Sequence, residues 1–579
     1  MTYVVVEEDE HGRGTTLTGV DAHGAVSSSR TVPTEELAGV VARIERDEHV
    51  RWVWADTSRT YPSLLAAGVR VARCHDLRLS RRILRGAAWL AGTAVDLAPR
   101  DDWDRPTPAA EVADGLFDAT TLRGAAPARP DAVAELRHQL EALGVAPTEP
   151  QRAGAGRDDL PFPLDDRHGR LRLLVAAESA GALVAAEMTF CGLPWRADVH
   201  DRLLTGLLGP RPVEGYRPRL LEERLDEVRA RLGAADVNPD SPAELLRALR
   251  RAGLPATSTR SWALKEIDHP AIAPLLEYKR LARLWTANGW HWLDAWVHDG
   301  RFRPTYVVGG VVTGRWASDG GGVLQLPHQV REAVQADEGW TLVVADVAQL
   351  EPRVLAAMSG DPAMARAGRA NDMYEGIVAT GAVQTREQAK YGMLGAMYGG
   401  TQGVSGQVLP QLRRAFPRAL GLVERAAETG ERGGRVTTWL GRTSPAPGPG
   451  WTEAQGLASE PDADPAATDR ARSQARSWGR FTRNFVVQGT AAEWALCWMA
   501  LLRARLRALG GGTTLVEEPH LVLFLHDEVI VHTPLPLAGA VARAVSECAA
   551  EAGRLLFGEP ETVELRLSLA QVTSYAEAK

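Results

Sequence analysis

The chain has 579 residues, 45% apolar and 24% charged, with a formal net charge of −7. That length exceeds what one hydrophobic core organises, so several domains of ordinary globular composition are expected. The acidic balance argues weakly against a nucleic-acid partner, although a large chain can carry a local basic groove beside an acidic metal site.

The four cysteines, Cys74, Cys191, Cys497 and Cys548, lie far apart without CxxC spacing. They argue against zinc and suggest free thiols in a reducing cytoplasm. The opening MTYVVVEEDEHG has neither a basic n-region nor a long apolar h-region, so no secretory signal is expected. No run approaches about 18 consecutive apolar residues, so no membrane span is expected either. Lysine occurs only at 265, 279, 390 and 579, and arginine supplies nearly all the positive charge.

In chain order, residues 1 to about 125 mix strand-like runs (TYVVV, HVRWVWA) with helical ones (TEELAGVVARIER, LRLSRRILRGAAWLAG), an α/β pattern. AAPARPD and APTEPQRAGAGRDDLPFPLDD read as linkers around one short helix, AVAELRHQLEALG. From 170 to about 300 the pattern is helical, with Ser241 capping and Pro242 in the first turn of SPAELLRALRRAG. PLLEYKRLARLWTANGWHWLDAW is expected as one long helix. Beyond about 305 strands and helices alternate, and the Pro-, Gly- and acid-rich stretch 443–469 is expected as a mobile loop.

Four stretches carry chemistry. TLVVADVAQLEPRVLAAM reads as a buried strand ending at Asp346, then a helix with Pro352 in its first turn. Alone, Asp346 fits a helix cap or a buried ion pair as well as a catalytic acid. LVLFLHDEVIVHT reads as two paired buried strands interrupted by His526, Asp527 and Glu528. A buried unpaired carboxylate costs several kcal/mol, and cations shared between the two strand ends explain these acids. Two carboxylates can hold a pair of metals about 3.5–4 Å apart, suited to phosphoryl transfer. The metal-free rival is a general acid and base, as in a glycosidase.

In TREQAKYGMLGAMYGG, Arg386, Lys390, Leu394 and Tyr398 recur every four residues and form one helical stripe. Arg and Lys one turn apart suit phosphate oxygens, which favours the metal reading. A solvated helix face is the plain alternative. Gly392, Gly395 and Gly399 cost about 1 kcal/mol each in a helix and suggest close approach by a ligand or another backbone. In RFTRNFVVQGTAAEWALCW, Arg480, Asn484 and Gln488 share one face. They suit a nucleic-acid groove, or equally helix-helix hydrogen bonds.

Taken in order, these stretches resemble the polymerase domain of family A DNA polymerases. DVAQLEPR resembles DYSQIELR, REQAKYGMLGAMYG resembles RxxxKxxxFGxxYG, and LHDEVIVHT resembles the HDE motif. TGRWASDGGGVLQLP resembles TGRLSSxxPNLQNIP, and RNFVVQGTAAEW resembles NxPxQGTAAD. The match runs from about 190 to the end.

The resemblance implies an α/β multi-domain architecture: a ribonuclease H-like domain, then a right-hand fold of helical thumb, antiparallel-sheet palm and helical fingers. Its bounds are 1–125 exonuclease-like, 126–190 linker and helix, 191–305 thumb, 306–360 palm, 361–470 fingers and 471–579 palm. Asp346 and Asp527 are implied to hold two magnesium ions, which manganese can replace, with Glu528 and the Val347 carbonyl assisting. Arg386 and Lys390 are implied to grip the triphosphate, Lys390 also protonating pyrophosphate. Gln349 and His526 are implied to line the nucleotide and primer-end pocket, with Arg331 reaching a phosphate. Glu351 and Tyr398 are implied to exclude a 2′-hydroxyl, and Arg315, Arg480, Asn484 and Gln488 to touch primer-template DNA.

Several positions depart from the family pattern. Leu394 stands where the family has an aromatic that stacks on the nucleotide, Val347 and Ala348 replace Tyr and Ser, and Val323 replaces Asn. In the N-terminal region Asp76 matches a structural acid, but Thr60 stands where a metal-binding Asp is expected. No DxE strand precedes TYVVV, and EEDEH follows it, although Asp56, Asp165 or Asp166 offer replacement acids. The resemblance therefore implies a monomeric DNA polymerase using dNTPs in the cytoplasm, in repair or gap filling, off the membrane and without proofreading. A bifunctional polymerase with active 3′→5′ exonuclease and a non-catalytic DNA-binding scaffold are the alternatives.

Overall fold

The computed structural model describes residues 2–8, 13–105, 131–144, 167–400, 403–460, 462–511, 514–558 and 563–578. The expected linkers AAPARP and APTEPQRAGAGRDDLPFPLDD, with Asp165 and Asp166, lie outside the described residues, as do Asp9, Glu10 and His11. Two compact units share the chain. The first comprises 1–190, 306–317 and 345–569, the second 191–305, 318–344 and 570–579.

The first unit opens on five strands, β1 (Thr2–Glu8), β2 (Gly14–Val20), β3 (Val26–Pro33), β4 (Val50–Trp54) and β5 (Cys74–Asp76). Their order is β3-β2-β1-β4-β5. β1 to β3 form an antiparallel meander, whereas β4 and β5 join parallel to β1. Parallel neighbours need crossovers, supplied by helices Leu37–Asp47 and Thr57–Ala66. Central β1 buries Tyr3 to Val6 without interruption, as a strand covered on both faces does. Tyr3 and Val5 meet Leu136 and Leu140 of the Ala132–Ala142 helix in one core.

Two helices of this unit, Arg167–Cys191 and Pro465–Gly510, are long and apolar enough to cross a membrane, with mean hydropathy 1.5 and 1.4. Within those windows 67% and 78% of the residues are buried in the fold. Charges interrupt both helices, so neither contains an unbroken apolar run, and the buried Glu178, Glu187 and Arg503 among those charges are paired. Arg503 donates to Glu187 at 2.8 Å and to the Val71 carbonyl at 2.6 Å, and Tyr61 donates to Glu187 at 2.8 Å. Arg70 adds ion pairs to Glu187 and Glu518, and Arg442 pairs with Glu178 at 2.9 Å.

A second sheet contains β6 (Trp340–Val347), β7 (His520–Leu525), β8 (Glu528–Pro534) and β9 (Leu567–Val572), in the order β7-β8-β6-β9. The division between the units falls within β6 and within β9.

Two expectations are corrected. The stretch 443–469 is not a continuous loop: it holds the Pro449–Ala458 helix and the start of the Pro465–Gly510 helix. Pro449 and Pro465 occupy first-turn positions, where a missing N–H costs nothing, and the Asp464 side chain accepts from Ala466 N–H. The long helix expected over 274–296 breaks at Gly289 into Ile272–Asn288 and Trp290–Trp296. A Cβ at 289 would lie 2.2 Å from the Trp285 carbonyl oxygen, so only glycine makes that turn. In the second unit Ser241 caps Pro242–Arg251 through the Glu244 N–H, as the sequence predicts.

Candidate active site

The geometry starts from a two-residue connection. β7 and β8 pair as far as Leu525 opposite Glu528, leaving only His526 and Asp527 to turn the chain. Asp527 N–H donates to the Leu525 carbonyl at 2.8 Å, and His526 between them has φ 61°. A three-residue turn with positive φ at its centre is rare and strained. Val347 N–H donates to the Asp527 carbonyl at 3.0 Å. That bond staples the turn to the end of β6 and sets Asp346 and Asp527, both half-buried, on neighbouring strand ends. Glu528 begins β8 and is buried.

Just beyond β6, Gln349 also has a positive φ, 50°, ahead of the Leu350–Ser359 helix. Backbone held in sparsely populated regions costs roughly 1–3 kcal/mol and gathers at functional sites. The Gln349 side-chain carbonyl accepts from Met373 N–H at 3.1 Å. Glu351, in the first turn of that helix, pairs with Arg315 and accepts the Tyr398 hydroxyl at 2.8 Å. Burial, then the Glu351 charge, raises the Tyr398 phenol, while a bond from Asn484 opposes. Desolvation, then Arg315, holds the His526 imidazole below its ordinary value, with Glu351 opposing.

The stripe predicted on the second motif is a helix, Arg386–Tyr398, capped by Thr385 on Gln388 N–H. Lys390 is exposed one turn after Arg386, and Leu394 is half-buried. The glycines answer to packing rather than to a ligand. A Cβ at Gly392 would meet Val408 and Leu412, and one at Gly395 would meet Ser405. At Gly399 the intruder would be the Arg480 stem. Arg480 is exposed, and Asn484 and Gln488 follow half-buried on successive turns of Pro465–Gly510.

Some of these groups, Arg315, Gln349, Glu351, Leu394, His526 and Asp527, line a cleft of about 180 Å³ over an apolar floor that includes Trp316 and Phe524, whereas Asp346, Arg386, Lys390, Arg480, Asn484 and Gln488 are not among its lining residues. Trp316 and Phe524 meet edge-on at 5.1 Å. Arg331 belongs to the second unit, buried with its guanidinium 4.5 Å from the Tyr575 ring, and is not among the residues the first unit brings together.

Two residues of the site were not picked out from sequence. Tyr374 lines the cleft and is nearly fully buried. Asp372 caps the Met373–Ala379 helix and binds Arg386 at 2.7 Å. Burial would raise the Asp372 carboxyl, but Arg386 and two backbone amides hold it below the usual range. An Asp two residues before Tyr in NDMYEG is a cap signal, and nothing local points to Arg386.

The donor chemistry at the strand ends suits a hard divalent cation. Among the described residues no three His, Cys, Asp or Glu side chains form a ready cage. Two aspartates and a backbone carbonyl fit an ion such as magnesium, which takes one or two carboxylates and completes its shell with water and substrate phosphates.

Paired acids at a strand end and a helix carrying Arg386 and Lys390 belong to the same compact unit, and the chain's relatives give that pairing a family. A profile described as DNA polymerase family A matches residues 219–577. The chain belongs to DNA polymerase family A. It is 29% identical over 320 residues to the thermostable DNA polymerase I of Thermus filiformis, covering 50% of this chain and 35% of that protein. To the Thermus thermophilus enzyme it is 29% identical over 366 residues, 56% of this chain and 41% of that one. To DNA polymerase I of Deinococcus radiodurans it is 26% identical over 322 residues, 49% and 30%. The matches span well under two thirds of those relatives. The solved POL domain of Pol1 from M. smegmatis, in complex with DNA primer-template and dNTP, aligns with TM-score 0.64 at 18% identity. That alignment covers 100% of this chain and 95% of that chain, a likeness of fold.

Proposed function

We propose that the chain is a template-directed DNA polymerase that extends a primer 3′-hydroxyl with dNTPs. The observation that carries this reading is the juxtaposition of Asp346 and Asp527, stapled by the Val347–Asp527 backbone bond, in the first unit with Arg386 and Lys390. Asp346, Asp527 and the Val347 carbonyl would hold divalent metal, magnesium or manganese, with Glu528 beside them. Metal held there would supply positive charge to activate the attacking hydroxyl and to offset the charge of phosphoryl transfer.

The chain's own groups do the rest. Arg386 takes phosphate oxygens as a fork and Lys390 as a point charge, with the Lys390 ammonium also able to protonate the departing pyrophosphate. Glu351, fixed by Tyr398 and Arg315, closes the space a 2′-hydroxyl would need. Gln349 and His526 line the mouth of the nucleotide pocket, and Arg480, Asn484 and Gln488 line a path for the primer-template. Residues 191–305 are read as thumb, 306–360 and 471–579 as palm, and 361–470 as fingers. Action as a monomer in cytoplasmic DNA repair or gap filling fits this reading.

The N-terminal sheet order supports a ribonuclease H-like domain, which we read as catalytically silent. Thr60 is neutral where an acid is needed, and two-metal excision requires several converging carboxylates. The acids nearby have other partners: Asp76 is buried and accepts from Thr57 and Leu79, and Glu7 accepts from Ala132 N–H.

Primer extension with magnesium tests the proposal. Asp346→Ala or Asp527→Ala is expected to abolish extension while leaving DNA affinity largely intact, because phosphate contacts supply most of that affinity. Parallel loss of DNA binding would instead give the aspartates a structural role.

A further inference from the structure

The proposed triphosphate grip does not present a free arginine. The Asp372 carboxylate is fixed first by its own helix: Oδ1 accepts from the N–H groups of Tyr374 at 2.8 Å and Glu375 at 3.2 Å. Its other oxygen, Oδ2, accepts from Arg386 Nε at 2.9 Å and Nη2 at 2.7 Å. Two bonds to one edge of a planar guanidinium set its orientation as well as its place. The Tyr374 ring contributes a face, with its centroid 5.6 Å from Arg386 Cζ, inside the range where a cation is attracted to an aromatic ring. Arg386 is otherwise half-exposed on a long, flexible side chain, and ordering such a side chain costs up to about 2 kcal/mol.

We propose that Asp372 and Tyr374 are positioning residues for nucleotide binding, which hold the Arg386 guanidinium by one edge and one face and leave its Nη1 side for a triphosphate oxygen. This inference rests on the proposed polymerase function and extends it to two residues that act through Arg386. The ordering cost of Arg386 is met before the nucleotide arrives, so the effect falls on nucleotide binding rather than on turnover.

Single-nucleotide incorporation on saturating primer-template tests it, with wild type, D372N, Y374L, R386A and the double variant D372N/R386A. Asn remains a good helix cap, so D372N removes the charge while keeping the turn. D372N is expected to raise the half-saturating nucleotide concentration about tenfold, the size of one charge-assisted hydrogen bond, with kcat within about twofold. Y374L is expected to raise it roughly threefold. In the R386A background D372N is expected to add nothing. An unchanged half-saturating concentration in D372N, or its full effect persisting without Arg386, overturns the positioning role. So does equal loss of kcat and of primer-template affinity, the mark of a structural defect. Wild-type protein that extends no primer overturns the polymerase reading and this one with it, whereas wild-type extension with a null D372N overturns this one alone.

Discussion

Glu351 carries two obligations at once, an ion pair with Arg315 and a hydrogen bond from Tyr398. Glu351→Ala is therefore expected to raise ribonucleotide incorporation, because it empties the space beside the sugar and releases both partners. Competition between a ribonucleotide and its deoxy counterpart in primer extension measures this, and unchanged discrimination would place the gate elsewhere. Leu394, half-buried in the cleft wall, offers no ring. Leu394→Phe is expected to lower the nucleotide KM about fivefold or more, since base–aromatic stacking is worth roughly 1–3 kcal/mol and 1.4 kcal/mol is about a factor of ten. Nucleotide titrations of the variant check the direction. Residues such as Asp346, Lys390 and Asp527 stand out in the sequence as candidates because each sits at a fixed spacing inside a short apolar or helical frame. Asp372 was not, because its partner Arg386 lies 14 residues away and the pairing exists only once two helices meet.

At the scale of elements, buried charge decides how the two long helices of the first unit seat. Burial alone would raise the Glu187 carboxyl, but Arg503 and Arg70 hold it at about 2. Because that value lies below the ordinary 4.5, the contribution of Glu187 is whole above pH 4.5 and is lost as pH falls toward 2. Arg503→Ala is expected to cost about 3–5 kcal/mol in urea unfolding, since it strands Glu187 inside the protein. Glu493 shows the opposite sign. Burial pushes its carboxyl up to about 7, against hydrogen bonds from Thr438 and Leu440. Folding therefore prefers it protonated, and its contribution worsens as pH rises from 4.5 through 7. Glu493→Gln is expected to raise Tm near pH 8 and to change it little near pH 4, measured by calorimetry at both values. Neither helix reads as an apolar run for this same reason: the buried charges that interrupt them are satisfied by residues far away in sequence.

At the scale of the molecule, the order of motifs from Arg315 to Glu528 was readable from the sequence because each motif is local. The helix break at Gly289 was not, since apolar periodicity continues through it and only the clash with the Trp285 carbonyl forbids a side chain there. Likewise the 443–469 stretch has a loop's composition, yet Pro449 and Pro465 serve as helix starts. For the N-terminal domain, a labelled primer with a mismatched 3′ end is expected to keep its length in magnesium without nucleotides. Shortening that survives Asp346→Ala would show a working nuclease.

The path of the backbone between the compact units has a consequence for anyone who wishes to take the protein apart. The chain passes from one unit to the other at 190/191, 305/306, 317/318, 344/345 and 569/570. No single stretch of coding sequence therefore specifies either unit. A clone of 191–305 would carry Arg301 without its ion-pair partner Asp337, and would lack the backbone bond between Ala336 and Thr573. Reassembly from separately expressed pieces is expected to demand three fragments for each unit, and a transplant of either unit into another polymerase would have to be sewn at every one of those joins.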